Sequence, residues 1–85
     1  MEEKKVGEVI KFFGKIGVAA IHLAEGSLKV GDQIHIVGHT TDVSLGIDSM
    51  QVENKSVQEA GPGVDIGIKV GGKVREHDVV YKVVG

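Results

Sequence analysis

Apolar side chains recur at every second position along much of this chain, the spacing of strands that bury one face. The alternation is cleanest over Val64, Ile66, Ile68 and Val70, which are separated by Asp65, Gly67 and Lys69. It recurs over Val43, Leu45 and Ile47, and Ile34 and Ile36 share one face of a shorter run. Glycine-containing breaks at Gly14–Gly17, Ala24–Ser27, Gly38–Thr40, Ala60–Gly63 and Gly71–Gly72 bound the runs. The pattern predicts six strands: Val6–Phe13, Val18–Leu23, Gln33–Val37, one starting at Val43, Val64–Val70 and Val79–Val84. After Ile47 the apolar positions shift to Met50 and Val52, so the parity flips. A one-residue insertion near Asp48 and Ser49 absorbs that flip if it forms a β-bulge; the alternative is a strand that ends at Ile47. With no helical pattern, the expected fold is all-β, a closed six-stranded Greek-key-type barrel, because closure removes aggregation-prone edges.

Composition narrows the class. Eighty-five residues make one domain, here 1–85 with residues 1–5 read as a frayed terminus. A chain this short buries only about 60–65% of its unfolded surface. It has no Cys, which removes disulfides and thiolate chemistry. Val and Ile are abundant, Leu occurs only at three positions, and thirteen glycines work against helices. The single Asn (Asn54) and the weight of Lys, Glu and Val fit a thermophilic source. No apolar run approaches the roughly 20 residues of a membrane span, and the MEEKK start is too polar for a signal peptide. A soluble, cytoplasmic protein is expected.

Reactive motifs fail on spacing. Gly14-Lys15-Ile16-Gly17 and Gly71-Gly72-Lys73-Val74 lack the Ser or Thr of a phosphate loop and open no helix, so neither GTP nor another cofactor is expected. None of Ser27, Ser44, Ser49 and Ser56 sits in a Gly-x-Ser-x-Gly elbow. The reading is non-enzymatic. His22 and His35 are expected to face outward on neighbouring strands, with His39 nearby; exposed strand histidines account for them as well as a weak metal site does, and no metal is assigned.

Charge is uneven beneath the formal −2. Residues 1–19 carry +1, residues 20–68 carry −5 and residues 69–85 carry +2. If the terminal strands are neighbours, Lys11, Lys15, Lys69, Lys73, Arg75 and Lys82 form one basic patch suited to phosphates. Ordinary solvated lysines explain the same residues. Phe12 and Phe13 are adjacent, so one points inward and the other outward. An apolar outer face of Phe12 or Phe13, Val37 and Val80 would favour self-association.

The segment Gly26-Ser27-Leu28-Lys29-Val30-Gly31-Asp32-Gln33-Ile34 resembles the Gly-x-hydrophobic-Lys-x-Gly-Asp turn of the β-barrel second domain of translational GTPases, the elongation factor Tu kind. Met50, Val57, Ala60, Gly61, Gly63, Val64, Ile66 and Ile68 follow that domain's downstream order, and Asp78-Val79-Val80 resembles its final strand entry. Two departures stand out: Ala20-Ile21-His22 replaces a Thr-Gly-Arg-like step, and His77 replaces the usual Gly before the last Asp. The resemblance implies a translation-factor-like binding module contacting tRNA or ribosomal RNA through the basic patch. The alternative is a protein-interaction module docking on a translation factor, ribosomal protein or RNA-modification enzyme.

Overall fold

A computed structural model describes residues 2–84. It is all-β, with β1 (Glu2–Phe13), β2 (Val18–Leu23), β3 (Leu28–Lys29), β4 (Gln33–Val37), β5 (Asp42–Gly46), β6 (Met50–Val52), β7 (Lys55–Val57), β8 (Glu59–Ala60), β9 (Asp65–Lys69) and β10 (Val79–Val84). Eight strands form one sheet in the order β5-β4-β10-β1-β2-β9-β6-β7, while β3 and β8 pair separately. All of these pairs are antiparallel. Among the described residues the sheet has two ends, β5 and β7, with no ladder joining them, so the expected closed six-stranded barrel is not the observed architecture. Glu2 to Lys5 are not frayed either: they pair with Val84 to Tyr81 of β10.

Alternation sends one face of each long strand into a single core. Ile34 and Ile36 of β4, Ile66 and Ile68 of β9, and Val80 of β10 are buried there, with Ile21 and Leu23 of β2. Burying each such side chain contributes roughly 1.5–3 kcal/mol, the main source of stability in a domain without disulfides. Val80 therefore belongs to the core and not to an apolar outer face.

The chain does bulge, but not at Asp48–Ser49. There β5 stops at Gly46 and residues 47–49 lead to β6, which pairs with other strands; Ile47 instead exchanges backbone bonds with Gly31 and Asp32. The register shifts lie in β1, between Lys5 and Gly7 against β10 and between Val9 and Lys11 against β2. They bring Val6 and Val9 into the core and pack Phe12 against it, although the three are spaced by three residues instead of two.

Two turns share one construction. In Lys29–Asp32 the Asp32 amide donates to the Lys29 carbonyl at 3.0 Å, and the Asp32 carboxylate accepts from the Lys29 amide at 3.0 Å. In Arg75–Asp78 the Asp78 amide donates to the Arg75 carbonyl at 3.2 Å, and its carboxylate accepts from the Arg75 amide at 2.7 Å. Each third residue has positive φ, 99° at Gly31 and 74° at His77. Glycine carries no Cβ penalty in that region, whereas a histidine there costs about 1 kcal/mol or more. We expect His77→Gly to raise stability by about 0.5–1 kcal/mol, after the extra unfolded-chain entropy of glycine is subtracted. Urea unfolding checks this, and a lowered midpoint would contradict it.

Candidate functional site

The outward side of the sheet carries a groove of about 380 Å³. Its floor comes from three strands in register, Ala20 of β2 opposite Gly67 of β9, and Gly67 opposite Gln51 of β6. The floor is low because Gly67 has no side chain and Ala20 only a methyl. Val18 extends it toward the β1–β2 turn. That turn raises one wall, Phe13 and Ile16, which are 41% and 62% exposed. The Ile16 and Gly17 amides both donate to the Phe13 carbonyl, and Gly17 closes the turn with φ 66°.

The facing wall is the β6–β7 turn. Glu53 and Asn54 have φ of 51° and 65°, the two positive values of a type I′ hairpin turn. Glu53 and Asp65 are the charged side chains lining the groove. Lys11 lies just outside it, with its Nζ 5.2 Å from the centre of the Phe13 ring, a cation–π contact. On the rim Asp65 Oδ1 meets His22 Nδ1 at 2.6 Å. This pairs a base with an orienting carboxylate, but the serine on this part of the sheet, Ser56, is on β7 with β6 between it and β9. The groove offers apolar contact between flanks of mixed charge, with Asp65 at one end of the β9 face and Lys69, the register partner of Val18, at the other.

Phe13 is thus the outward member of the Phe12–Phe13 pair, and Phe12 packs on the core. Of the predicted basic residues, Lys11, Lys15 and Lys69 gather around the β1–β2 turn; Lys69 is paired with Val18. Lys73 and Arg75 lie between β9 and β10. Lys82 does not join them. It sits opposite Lys4, seven residues along β1 from Lys11, or about 20 Å at strand rise. Its Nζ is 3.4 Å from Asp32 Oδ2. The six residues therefore do not make one patch.

His22 and His35 are not on neighbouring strands, because β10 and β1 separate β4 from β2. Each is engaged by carboxylate instead. His35 Nε2 meets Asp42 Oδ1 at 2.5 Å and Nδ1 meets Glu3 Oε2 at 2.8 Å, linking β5, β4 and β1 across β10, whose Tyr81 is the strand partner of His35. The bond to Asp42, then that to Glu3, hold the His35 pKa above 6.5 against an opposing contribution from burial. A raised folded-state pKa gives stability that is full below the unfolded value and is lost as pH rises through the folded one. Thermal melts should therefore show the parent losing ground relative to His35→Gln as pH climbs above about 6.5. Parallel curves would contradict this coupling.

Fold and groove together define a small antiparallel all-β domain with an apolar surface trough. No family model matches the chain. Among curated proteins it is 42% identical over 78 residues to an uncharacterized protease of Methanocaldococcus jannaschii, covering 91% of this chain and 19% of that protein. It is 38% identical over 78 residues to a collagenase of Porphyromonas gingivalis, covering 91% of this chain and 22% of the collagenase. The chain thus spans about a fifth of the length of these relatives. The C-terminal domain of a Geobacillus thermoleovorans protein assigned as a U32 peptidase shares the fold, with TM-score 0.87 and 17% identity over 95% of this chain and 93% of that one.

The likeness to translational GTPases is present but weaker. Chloroplastic elongation factor Tu of Chaetosphaeridium globosum is 32% identical over 71 residues, 82% of this chain and 18% of that protein. GDP-bound aIF5B of Aeropyrum pernix shares the fold at TM-score 0.66 and 13% identity, over 98% of this chain and 14% of that one. These comparisons correct two expectations. The expectation of a translation-factor-like module contacting tRNA or ribosomal RNA is contradicted, since the more similar relatives are proteins named as a protease and a collagenase. The non-enzymatic reading is overturned with it, because the chain corresponds to a small part of proteins named as proteases and collagenases. Among the described residues no helix is long and apolar enough to cross a membrane.

Proposed function

We propose that the chain works as the accessory β-domain of a peptidase-type protein, contacting the larger catalytic portion or its polypeptide substrate through the outer-face groove. The observation that carries this is the 42% identity over 91% of the chain to one fifth of the M. jannaschii protease. The groove suits the role, since exposed Phe13 and Ile16 beside a floor of Ala20 and Gly67 form a contiguous apolar surface on a rigid sheet.

Domain replacement tests it. In the P. gingivalis collagenase, the matching fifth is deleted in one variant and replaced by this chain in another. Deletion should reduce collagen cleavage and replacement should restore it. Full activity in the deleted protein would sink the reading, as would a folded replacement no more active than the deletion.

A further inference from the structure

We propose that His35 is a proton-operated latch on the edge strand β5. With a proton on each ring nitrogen it ties Asp42 to Glu3 across the sheet. With one proton gone it releases Asp42, and the start of β5 loosens. The latch is independent of what the domain is attached to. It follows from the two contacts already described, in which Nε2 meets Asp42 Oδ1 and Nδ1 meets Glu3 Oε2. An ionised carboxylate only accepts hydrogen bonds, and a neutral imidazole has a single N–H to give. Both contacts together therefore need the imidazolium. Deprotonation sets a bare ring nitrogen against a carboxylate oxygen, and one of the two bonds is lost.

The bond that goes is the one to Asp42. Its side chain is 81% exposed and that of Glu3 39%, so water replaces the lost partner more readily at Asp42. The bond to Asp42 is also the largest cause of the raised His35 pKa, which makes it the contact that changes most between the two protonation states. The latch is thus closed below the folded value, which lies above 6.5, and opens as pH rises through it.

The place of Asp42 in the sheet gives that release an effect. β5 ends the sheet, with β4 as its ladder partner. Gly38 and Thr41 exchange both backbone bonds, so antiparallel alternation leaves Asp42 and Val37 as a non-bonded pair. The amide and carbonyl of Asp42 point off the edge, and its carboxylate is what holds it to the sheet. Glu3 anchors the other end from β1, beyond β10, two strand spacings or roughly 9–10 Å from β4.

Other groups share this face. Tyr81 of β10 is the row partner of His35, and Lys5 of β1 stands opposite Tyr81. Glu8 of β1 is paired with Val79, one row along. Lys5 opposes the imidazolium charge and Glu8 favours it, while Tyr81 stays neutral to about pH 10. On β4 and β5 the titratable side chains are His35 and Asp42 themselves.

Ring-nitrogen and backbone NMR of the labelled 85-residue chain, from about pH 5 to about pH 9, tests the latch. As His35 titrates, Nε2 should lose its proton while Nδ1 keeps its own. The backbone order parameter of Asp42 should fall from about 0.85 toward about 0.6 with the same midpoint, while those of Ile66 and Ile68 in β9 hold. Asp42→Asn supplies an amide that bonds either form of the ring, so order at position 42 should stay flat. Glu3→Gln should keep the response at Asp42 and lower its midpoint. Loss of the Nδ1 proton instead, or unchanged order at Asp42 through the titration, would overturn the proposal. So would a response that survives in Asp42→Asn, a midpoint unmoved by Glu3→Gln, or an equal fall at Ile66 and Ile68, which would mean that the whole sheet loosens.

Discussion

Gly7→Ala should cost this domain at least about 3 kcal/mol, more than most single substitutions. The new Cβ would stand 2.0 Å from the His22 carbonyl oxygen, 2.9 Å from its carbon and 3.2 Å from Leu23 Cα, all backbone atoms of β2. A flexible side chain could step aside; this stretch of β2 cannot, because Ile21 and Leu23 on either side of His22 are fully buried. Gly7 also sits at the first bulge of β1 and pairs with both Val80 and Leu23, so displacing it disturbs two ladders. A domain this size has about 4–13 kcal/mol of stability in total, so the loss is a large share of it. Urea unfolding measures it, and a midpoint matching the parent's would refute the close-approach account.

The second large effect is expected at Gly38→Ala. A Cβ there would fall 1.8 Å from Asp78 Oδ1 and 2.5 Å from its Cγ. Asp78 is buried, and its other oxygen holds the Arg75 amide. Either the carboxylate leaves and orphans that amide, or the Gly38–Thr41 turn, closed by bonds of 2.9 and 3.4 Å, opens. Each route costs about 2–3 kcal/mol. The two are separable by a double-mutant cycle: in an Asp78→Ala background the Gly38→Ala penalty should shrink sharply, because the clash is gone. Simple additivity would show that the penalty arises elsewhere.

Much of the fold was legible where side-chain burial alone decides the structure. The predicted bounds of Val18–Leu23, Gln33–Val37 and Val79–Val84 coincide with β2, β4 and β10; β2 and β4 bury every second residue, and β10 is a run rich in β-branched valine. The polar stretch after Val52 hid the β6–β7 hairpin and β8. These strands are two or three residues long, and the hairpin turn uses Glu53-Asn54, not the Asn-Gly pair that marks such turns. The β1 bulges did leave a trace: Val6, Val9 and Phe12 recur every third residue, and each step of three flips parity once. That trace was masked by the louder flip at Ile47, which is a change of partner strands and not a bulge.

The groove was less legible because its floor is assembled from β2, β9 and β6, which are distant in sequence. Only the outward turn of one phenylalanine was readable in advance. The basic patch failed for a related reason. Charge counted along the chain places Lys82 with the other C-terminal cations, whereas the ladder carries it to the far end of β1 and Asp32 neutralises it.

The pairing of Glu2 with Val84 has a kinetic side. It joins the two described residues most distant in sequence, so β1 and β10 cannot zip until the loop of about eighty residues between them has paid its closure entropy. That places the β1–β10 ladder late in folding and makes the domain a slow folder for its size. It also means Glu2 and Val84 are neighbours, so a short linker between them with new ends opened at the Gly61–Gly63 turn would turn the longest loop into one of the shortest. Such a permutant keeps every ladder and would fold faster than the parent.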